Sequence, residues 1–237
     1  MPHVLITGGS RGIGAATVRH FAKKGWQVSF TYCSAKEQAE TLAKECGCLA
    51  ICADSKDENA VKNAVALATA TYGAPQALIN NAGISSFQLF QDVSTELWEN
   101  TFDTNLRGAF FYIRECLPQM IAQKSGVILN ISSIWGMVGS SCEVLYSTTK
   151  AALIGMTKAL AKEVGPSGIR CNCIAPGVID TEMNAMLDSE AKEAIIEEIP
   201  LGRMGEGEDI ARLAYYLIAE DTYLTGQVIS PNGGMIT

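Results

Sequence analysis

Short runs of Val, Ile and Leu recur along this chain, each followed by a longer amphipathic stretch. That alternation limits the fold more than any other feature. The runs fall at 3–7 (His-Val-Leu-Ile-Thr), 27–32, 48–53, 77–81, 126–132, 169–175 and 226–230. They lack the in–out pattern of a strand with one wet face, so they read as parallel strands buried on both sides. The stretches 12–24, 35–46, 57–72, 98–124, 144–164, 181–197 and 207–219 read as helices. A repeated βα order with right-handed crossovers gives an α/β fold, a doubly wound parallel sheet of about seven strands with helices on both faces. The 237 residues suffice for one well-buried core. No linker, repeat or low-complexity tract divides them, so 1–237 reads as a single domain.

Charge and cysteine usage then exclude several function classes. Lys and Arg total 18 against 25 Asp and Glu, a net charge of −7, with no basic run. Nucleic-acid binding is therefore not expected. The N-terminus enters a strand pattern at once, which leaves no room for a signal peptide. No apolar stretch approaches ~18 residues, so no membrane span is expected and the chain reads as soluble and cytoplasmic. Cysteines stand at 33, 46, 48, 52, 116, 142, 171 and 173, without the C-x2-C spacing of zinc modules, and His3 and His20 are both N-terminal. Free thiols and no metal are the expectation.

Thr7-Gly8-Gly9-Ser10-Arg11-Gly12-Ile13-Gly14 follows the first strand and opens the first helix. Glycines 8, 12 and 14 permit a tight turn and close approach of a pyrophosphate, with the helix N-terminus adding N–H donors and positive partial charge. A dinucleotide is the expected ligand. An NAD site usually carries an acid after the second strand, and Thr31-Tyr32-Cys33-Ser34-Ala35-Lys36 has none. Arg11 can fork onto a 2′-phosphate, helped by Ser34 and Lys36, which favours NADPH/NADP+ over NADH. The plain alternative is that Arg11 is a solvated loop charge.

Tyr146 and Lys150 stand four residues apart, so a helix over 144–164 puts phenol and ammonium on one face. A free phenol titrates near ~10, and a neighbouring cation lowers that value. Ser133 adds a hydroxyl to orient a carbonyl. Together they would form a general acid/base site interconverting a ketone and an alcohol. Taken alone, the spacing equally suits a helix with an exposed Lys and a half-buried Tyr.

With Asn80-Asn81-Ala82-Gly83, Asn105 and Pro176-Gly177, these motifs make the whole chain resemble the short-chain dehydrogenase/reductase family, in the family's order and spacing. The resemblance implies a Rossmann-type fold and an NADP-dependent oxidoreductase acting on CH–OH and ketone groups. Tyr146 would donate the proton to the carbonyl oxygen in reduction. Lys150 would lower its pKa and hold the nicotinamide ribose, and Ser133 would hydrogen-bond the substrate oxygen. Asn105 would position a water linking Lys150 to solvent, unless it only bends or caps a helix. Gly8, Ser10, Arg11, Gly12, Ile13, Gly14 and Ser34 would hold the cofactor, with Asn81, Ala82 and Gly83 on its adenosine side. Pro176, Gly177, Ile179 and Thr181 would complete those contacts. Asp54 would meet the adenine; its plain alternative is a helix cap.

The overall look is of the 3-oxoacyl-[acyl-carrier-protein] reductase branch. Trp135 to Glu143 and Gly177 to Asn184 look closer to the bacterial elongation factor P 5-aminopentanone reductases, which reduce a ketone carried on a lysine of that factor. There Glu143 would pair with a substrate amine, unless it is a Glu favoured by a helix N-terminus. A small ketone or sugar dehydrogenase is a further reading. A non-catalytic nucleotide-binding member is another, although Ser133, Tyr146 and Lys150 are all present. The loop 134–145 is expected to wall the pocket. The segment 178–200, with Met183, Met186 and Leu187, is expected to form an apolar lid. An acidic enzyme needs a basic patch to dock an acidic acyl carrier, with Lys124 and Arg170 as candidates. The family resemblance also implies a homo-oligomer, tetramer or dimer, built on the helices at 98–124 and 144–164.

Overall fold

The computed structural model describes residues 1–182 and 188–237. Seven parallel strands form one sheet: β1 (His3–Ile6), β2 (Gln27–Tyr32), β3 (Leu49–Cys52), β4 (Ala77–Asn80), β5 (Gly126–Ile131), β6 (Ile169–Ile174) and β7 (Val228–Ile229). Their order is β3-β2-β1-β4-β5-β6-β7. In β1, Val4 and Ile6 face one side and Leu5 the other, and all three are fully buried. On the first side, Val18 and Phe21 of α1 (Gly12–Lys23), Leu42 of α2 (Lys36–Cys46) and Ile210 of α9 (Gly207–Tyr215) pack in the same cluster. On the second, α3 (Glu58–Tyr72), α5 (Gly108–Gln123) and α7 (Val144–Val164) bring Val61, Val65, Ile113, Met120 and Val164 around Leu5. Two covered faces explain why the apolar runs do not alternate.

The sheet grows outward in both directions from β1 and β4, so its crossovers part there and open a crevice at the carboxyl ends. The register pairs Ile6 with Ile79, Asn80 with Asn130, and Ile131 with Ile174. Thr7, Asn81, Ser132 and Ala175 therefore emerge side by side on one edge. Asn130, fully buried, accepts from Asn80 Nδ2 at 2.9 Å and donates to Thr157 Oγ1 at 2.9 Å, which locks α7 onto β5.

Among the described residues, the stretches 98–124 and 181–197 depart most from the sequence expectation. The 98–124 helix starts earlier, at Thr95, because the Ser94 hydroxyl accepts from Leu97 N and caps it. It runs as α4 (Thr95–Phe102), widens into one π-helical turn over Asp103–Arg107, and continues as α5. Within the expected 181–197 helix the described residues form α8 (Ser189–Glu198), capped by the Asp188 carboxylate on Ala191 N at 2.8 Å. The lid reading, with Met183, Met186 and Leu187, lies outside the described residues. A short helix, α6 (Trp135–Val138), also stands within the expected loop 134–145. No described helix is long and apolar enough to cross a membrane.

Candidate active site

β1 ends at Ile6 and the chain turns directly into α1. Thr7 clasps this turn to the neighbouring strand: its hydroxyl accepts from Asn81 N and Ala82 N, both at 3.0 Å. Asn81 Nδ2 donates in return to the carbonyls of Thr7 and Gly8, both at 3.0 Å. A Cβ built on Gly14 would stand 2.1 Å from the Gly8 carbonyl oxygen, and one on Gly8 2.8 Å from Ala82 Cα. Side chains at either position would push helix and strand apart. No side chain caps α1 and its first turn holds no acid. Its orphan N–H groups and positive dipole end are thus left for an anion.

A cleft of about 720 Å³ opens here, lined by Ser10, Arg11, Gly12, Glu37, Thr181 and Glu182 among others. None of Ser133, Tyr146 and Lys150 lines it. Arg11 is exposed and makes no ion pair among the described residues, whereas Lys36 pairs with Glu40 at 3.7 Å and Lys56 with Asp54 at 3.8 Å. Ser34 is exposed just beyond β2. Asp54 caps no helix: its Oδ1 accepts from Lys56 N at 3.0 Å, and Asp57 caps α3 instead. Ile13 packs half-buried against the core. Across the cleft, the Thr181 methyl would lie 3.3 Å from a Cβ on Gly12. Behind it, Ile179 is buried, Pro176 O accepts from Ile134 N at 2.9 Å, and Gly177 N donates to Pro231 O at 3.0 Å.

The second cluster lies where α7 passes the end of β5 and the loop that follows β4. Lys150, only 3% exposed, donates from Nζ to the Ile131 carbonyl at 2.8 Å and stands 5.5 Å from the Tyr146 ring centroid. The Ser133 hydroxyl stands beside that of Tyr146, and its Oγ accepts from Trp135 N at 3.2 Å. Asn105 sits in the π-helical turn, a distortion frequent at functional sites. Its Oδ1 accepts from Ile84 N at 2.8 Å, and its Nδ2 donates to Ile84 O at 2.9 Å and Thr149 Oγ1 at 3.1 Å. A Cβ on Gly83 would lie 3.3 Å from both Asn105 Oδ1 and Lys150 Nζ. The fold thus gathers Gly83, Asn105, Ser133, Tyr146 and Lys150 from four separate segments.

Burial sets the electrostatics of this cluster. It pulls the Lys150 ammonium down from 10.5 to about 8. It pushes the Tyr146 phenol up to about 12, the Ser133 hydroxyl opposing and the Glu143 carboxylate adding to the rise. The expected lowering of the phenol by its cation is not met. Lys150 aims its charge at Ile131 O, and desolvation of the phenolate wins.

Glu143 occupies the N-cap position of α7 without capping it. Its carboxylate instead accepts from Ser85 Oγ at 2.6 Å, and Gln88 N donates to Cys142 O at 2.7 Å, so the loops after β4 and β5 are stitched together. Both loops carry exposed apolar side chains: Phe87, Leu89 and Phe90 on one, Met137, Val138 and Val144 on the other. Arg170 and Lys124 lie elsewhere. Arg170 is the second residue of β6, nearly buried against Asp221 at 3.0 Å, and Lys124 just precedes β5, so both sit at the amino edge of the sheet.

A family model described as enoyl-(acyl carrier protein) reductase matches residues 8–236. The 3-oxoacyl-[acyl-carrier-protein] reductase FabG of Staphylococcus aureus is 39% identical, covering 98% of this chain and 96% of that protein. The protein of the same name from Aquifex aeolicus is 41% identical over the same shares. A solved Serratia marcescens short-chain dehydrogenase/reductase, a mutant with two Phe-to-Leu substitutions, aligns with a TM-score of 0.92 at 33% identity, covering 99% of this chain and 97% of that one. The chain belongs to the short-chain dehydrogenase/reductase family. It is accordingly an oxidoreductase of ketone and CH–OH groups, in a family that uses a nicotinamide cofactor. The side-chain-free contact of Gly8 with Gly14 and the uncapped α1 fit such a dinucleotide.

Several residues that shape the site escape sequence reasoning. Thr7, Ser85, Thr149 and the Ile131 carbonyl act through contacts made only in the fold, and only Thr7, a hydroxyl ending an apolar run before the glycines, leaves a local signal. The burial of Lys150 yields a first prediction. A shift from 10.5 to about 8 at ~1.4 kcal/mol per unit, less the lost bond to Ile131, leaves a net cost of ~2 kcal/mol. Because the folded pKa lies below the unfolded one, that cost is complete below about 8 and disappears as pH rises past 10.5. Lys150→Met is therefore expected to raise Tm at pH 7 by ~4–8 °C, with the gap to wild type narrowing at pH 10. Calorimetry at both pH values checks this, and an equal or lower Tm at pH 7 refutes it.

Proposed function

We propose that this protein is an NADPH-dependent ketoreductase of 3-oxoacyl groups, with Asn105, Ser133, Tyr146 and Lys150 as its catalytic residues. The observation that carries this is a phenol beside the Ser133 hydroxyl, with the buried Lys150 Nζ 5.5 Å from its ring centroid. Bound nicotinamide supplies the hydride. The hydroxyls of Ser133 and Tyr146 hold the carbonyl oxygen, and Tyr146 passes its proton to that oxygen as negative charge develops. The Lys150 ammonium then stabilises the phenolate left behind, and Asn105, close to it across Gly83, steadies the route by which the proton returns. A proton donor built for an oxygen suits ketone reduction better than reduction of the carbon–carbon double bond named in the family description. The apolar rim of Phe87, Leu89, Met137 and Val138 supports an acyl chain over a sugar. Exposed Phe110 and Ile121 on α5 support a homo-oligomer.

The test is NADPH oxidation with an acetoacetyl thioester, a carrier-bound 3-oxoacyl chain, an aminoketone and simple diketones. Tyr146→Phe should lower kcat by ~10²–10⁴-fold while leaving NADPH affinity unchanged. Retained activity, or inactivity of the wild type on every ketone, refutes the proposal.

Unpaired Arg11 supports the 2′-phosphate and hence NADPH. Losing one charge-assisted bond of ~1.5–3 kcal/mol, Arg11→Ala should raise KM for NADPH by ~10–100-fold and barely alter that for NADH. A wild-type kcat/KM for NADH equal to or above that for NADPH overturns this assignment.

The Ser85–Glu143 bond favours one second reading, a ketone bearing an amine, as on a modified lysine. The carboxylate is held at the pocket edge rather than spent on the helix. Glu143→Gln should then cut kcat/KM for an aminoketone while sparing neutral ketones, and equal losses on both would remove the idea.

A further inference from the structure

We propose that Thr149 is a positioning residue for the reaction: its buried hydroxyl ties the Asn105 amide to the helical turn bearing Tyr146 and Lys150, and so sustains proton return between turnovers. The proposal rests on the acid/base reading above, with Asn105 on the route by which the proton comes back.

Two bonds on one hydroxyl carry it. Thr149 Oγ1 donates to the Tyr146 carbonyl at 2.8 Å and accepts from Asn105 Nδ2 at 3.1 Å. The direction of this chain is fixed. Ile84 N donates to Asn105 Oδ1 at 2.8 Å and Ile84 O accepts from Nδ2 at 2.9 Å, so the amide cannot be flipped. The second Nδ2 hydrogen is left for Thr149, whose own hydrogen is committed to Tyr146 O. On the same helix, Thr148 and Thr157 donate to carbonyls four residues back, whereas Thr149 reaches three back, to Tyr146 itself.

Burial gives the chain its consequence. Thr149 is fully buried and Asn105 is only 1% exposed, so bulk water cannot take over either bond. Without the hydroxyl, one Nδ2 hydrogen has no acceptor in a site that excludes water, and the amide turns to find one. A Cβ on Gly83 would touch Asn105 Oδ1 and Lys150 Nζ alike, so amide and ammonium border one small gap. A turned amide therefore changes the surroundings of Lys150.

The proton count separates the first turnover from the rest. In reduction the carbonyl carbon gains a hydride and its oxygen gains the Tyr146 proton, and solvent then returns one proton to the phenolate. The phenol, pushed up to about 12, already holds its proton at neutral pH. Only later turnovers depend on the return.

The experiment follows NADPH oxidation by stopped flow, using the ketone of the panel above that the wild type reduces fastest. Thr149→Val and Thr149→Ala should complete a first turnover at the wild-type rate and then run ~10-fold slower. Their KM values should stay unchanged, and the slow phase should show a larger solvent deuterium isotope effect than the wild type. Thr149→Ser keeps the hydroxyl and should match the wild type throughout. Wild-type steady-state turnover in Thr149→Val or Thr149→Ala, equal slowing of first and later turnovers, or a Thr149→Ser as slow as Thr149→Val overturns the proposal. Failure of both Thr149→Val and Thr149→Ala to fold overturns it too, since the residue then serves the fold. Wild-type turnover in Asn105→Ala overturns the proton-return reading underneath, whereas a slowed Asn105→Ala beside an unaffected Thr149→Val removes only the role of Thr149.

Discussion

Helices cover both faces of the sheet, so the strands bury Val, Ile and Leu on either side and leave chemistry to their ends. At the carboxyl edge the loops are tied to one another as well as to their own strands. Thr7 holds Asn81 and Ala82, Ser132 N reaches Ile174 O at 2.7 Å, and Ile134 N reaches Pro176 O at 2.9 Å. Each bond is modest, ~1 kcal/mol net. Their joint effect is to hold Gly8, Gly83, Ser133 and Gly177 on one rigid backing, which a site needing sub-ångström placement requires. A slip of any strand by one residue would scatter them.

The same backing makes Lys150 costly. An ammonium at 3% exposure with a single carbonyl partner is held below its ordinary pKa, and the phenol beside it is held above its own. Each group is pushed toward neutrality because the site excludes water. A phenol that keeps its proton until a developing oxyanion demands it suits a donor in reduction. The ammonium gains a full counter-charge only once that phenol has given up its proton. Destabilisation of the resting fold and readiness for the reaction thus share one cause, desolvation.

The sequence made the repeating pattern legible and hid whatever depended on contacts between distant segments. All seven strands were readable, because two-sided burial enforces continuous apolar runs. Tyr146 and Lys150 were readable because a helix enforces the spacing of four. The break in the 98–124 helix was not: the π-helical turn accompanies bonds from Asn105 to Ile84, 21 residues away, and no local propensity encodes them. Asp188 was visible as a residue but not as a cap, since the apolar pattern did not mark where α8 begins. Asp54, a cap candidate in sequence, caps nothing in the fold, and Asp57 three residues on caps α3 instead. The phenol's shift was misjudged in sign because spacing reveals the cation and conceals the burial.

Charge bears on what the enzyme recognises. Around the carboxyl edge the basic side chains are largely neutralised in place: Lys36 by Glu40, Lys56 by Asp54, Arg107 by Asp103, Lys192 by Asp180 and Arg203 by Asp209. In a chain of net charge −7, Arg11 stands out there as a cation without an ion pair among the described residues, and it lies at the glycine loop. Favourable charge is thus concentrated where a cofactor phosphate would sit. An acidic protein carrier approaching the same edge would meet ion pairs already formed, which steer weakly and are screened by salt. Binding energy for the ketone must then come from the group itself. On the proposed reading the exposed apolar side chains of the two loops would supply it for an acyl chain, and Glu143 with Ser85 would supply it for an amine, which would leave substrate choice to those loops.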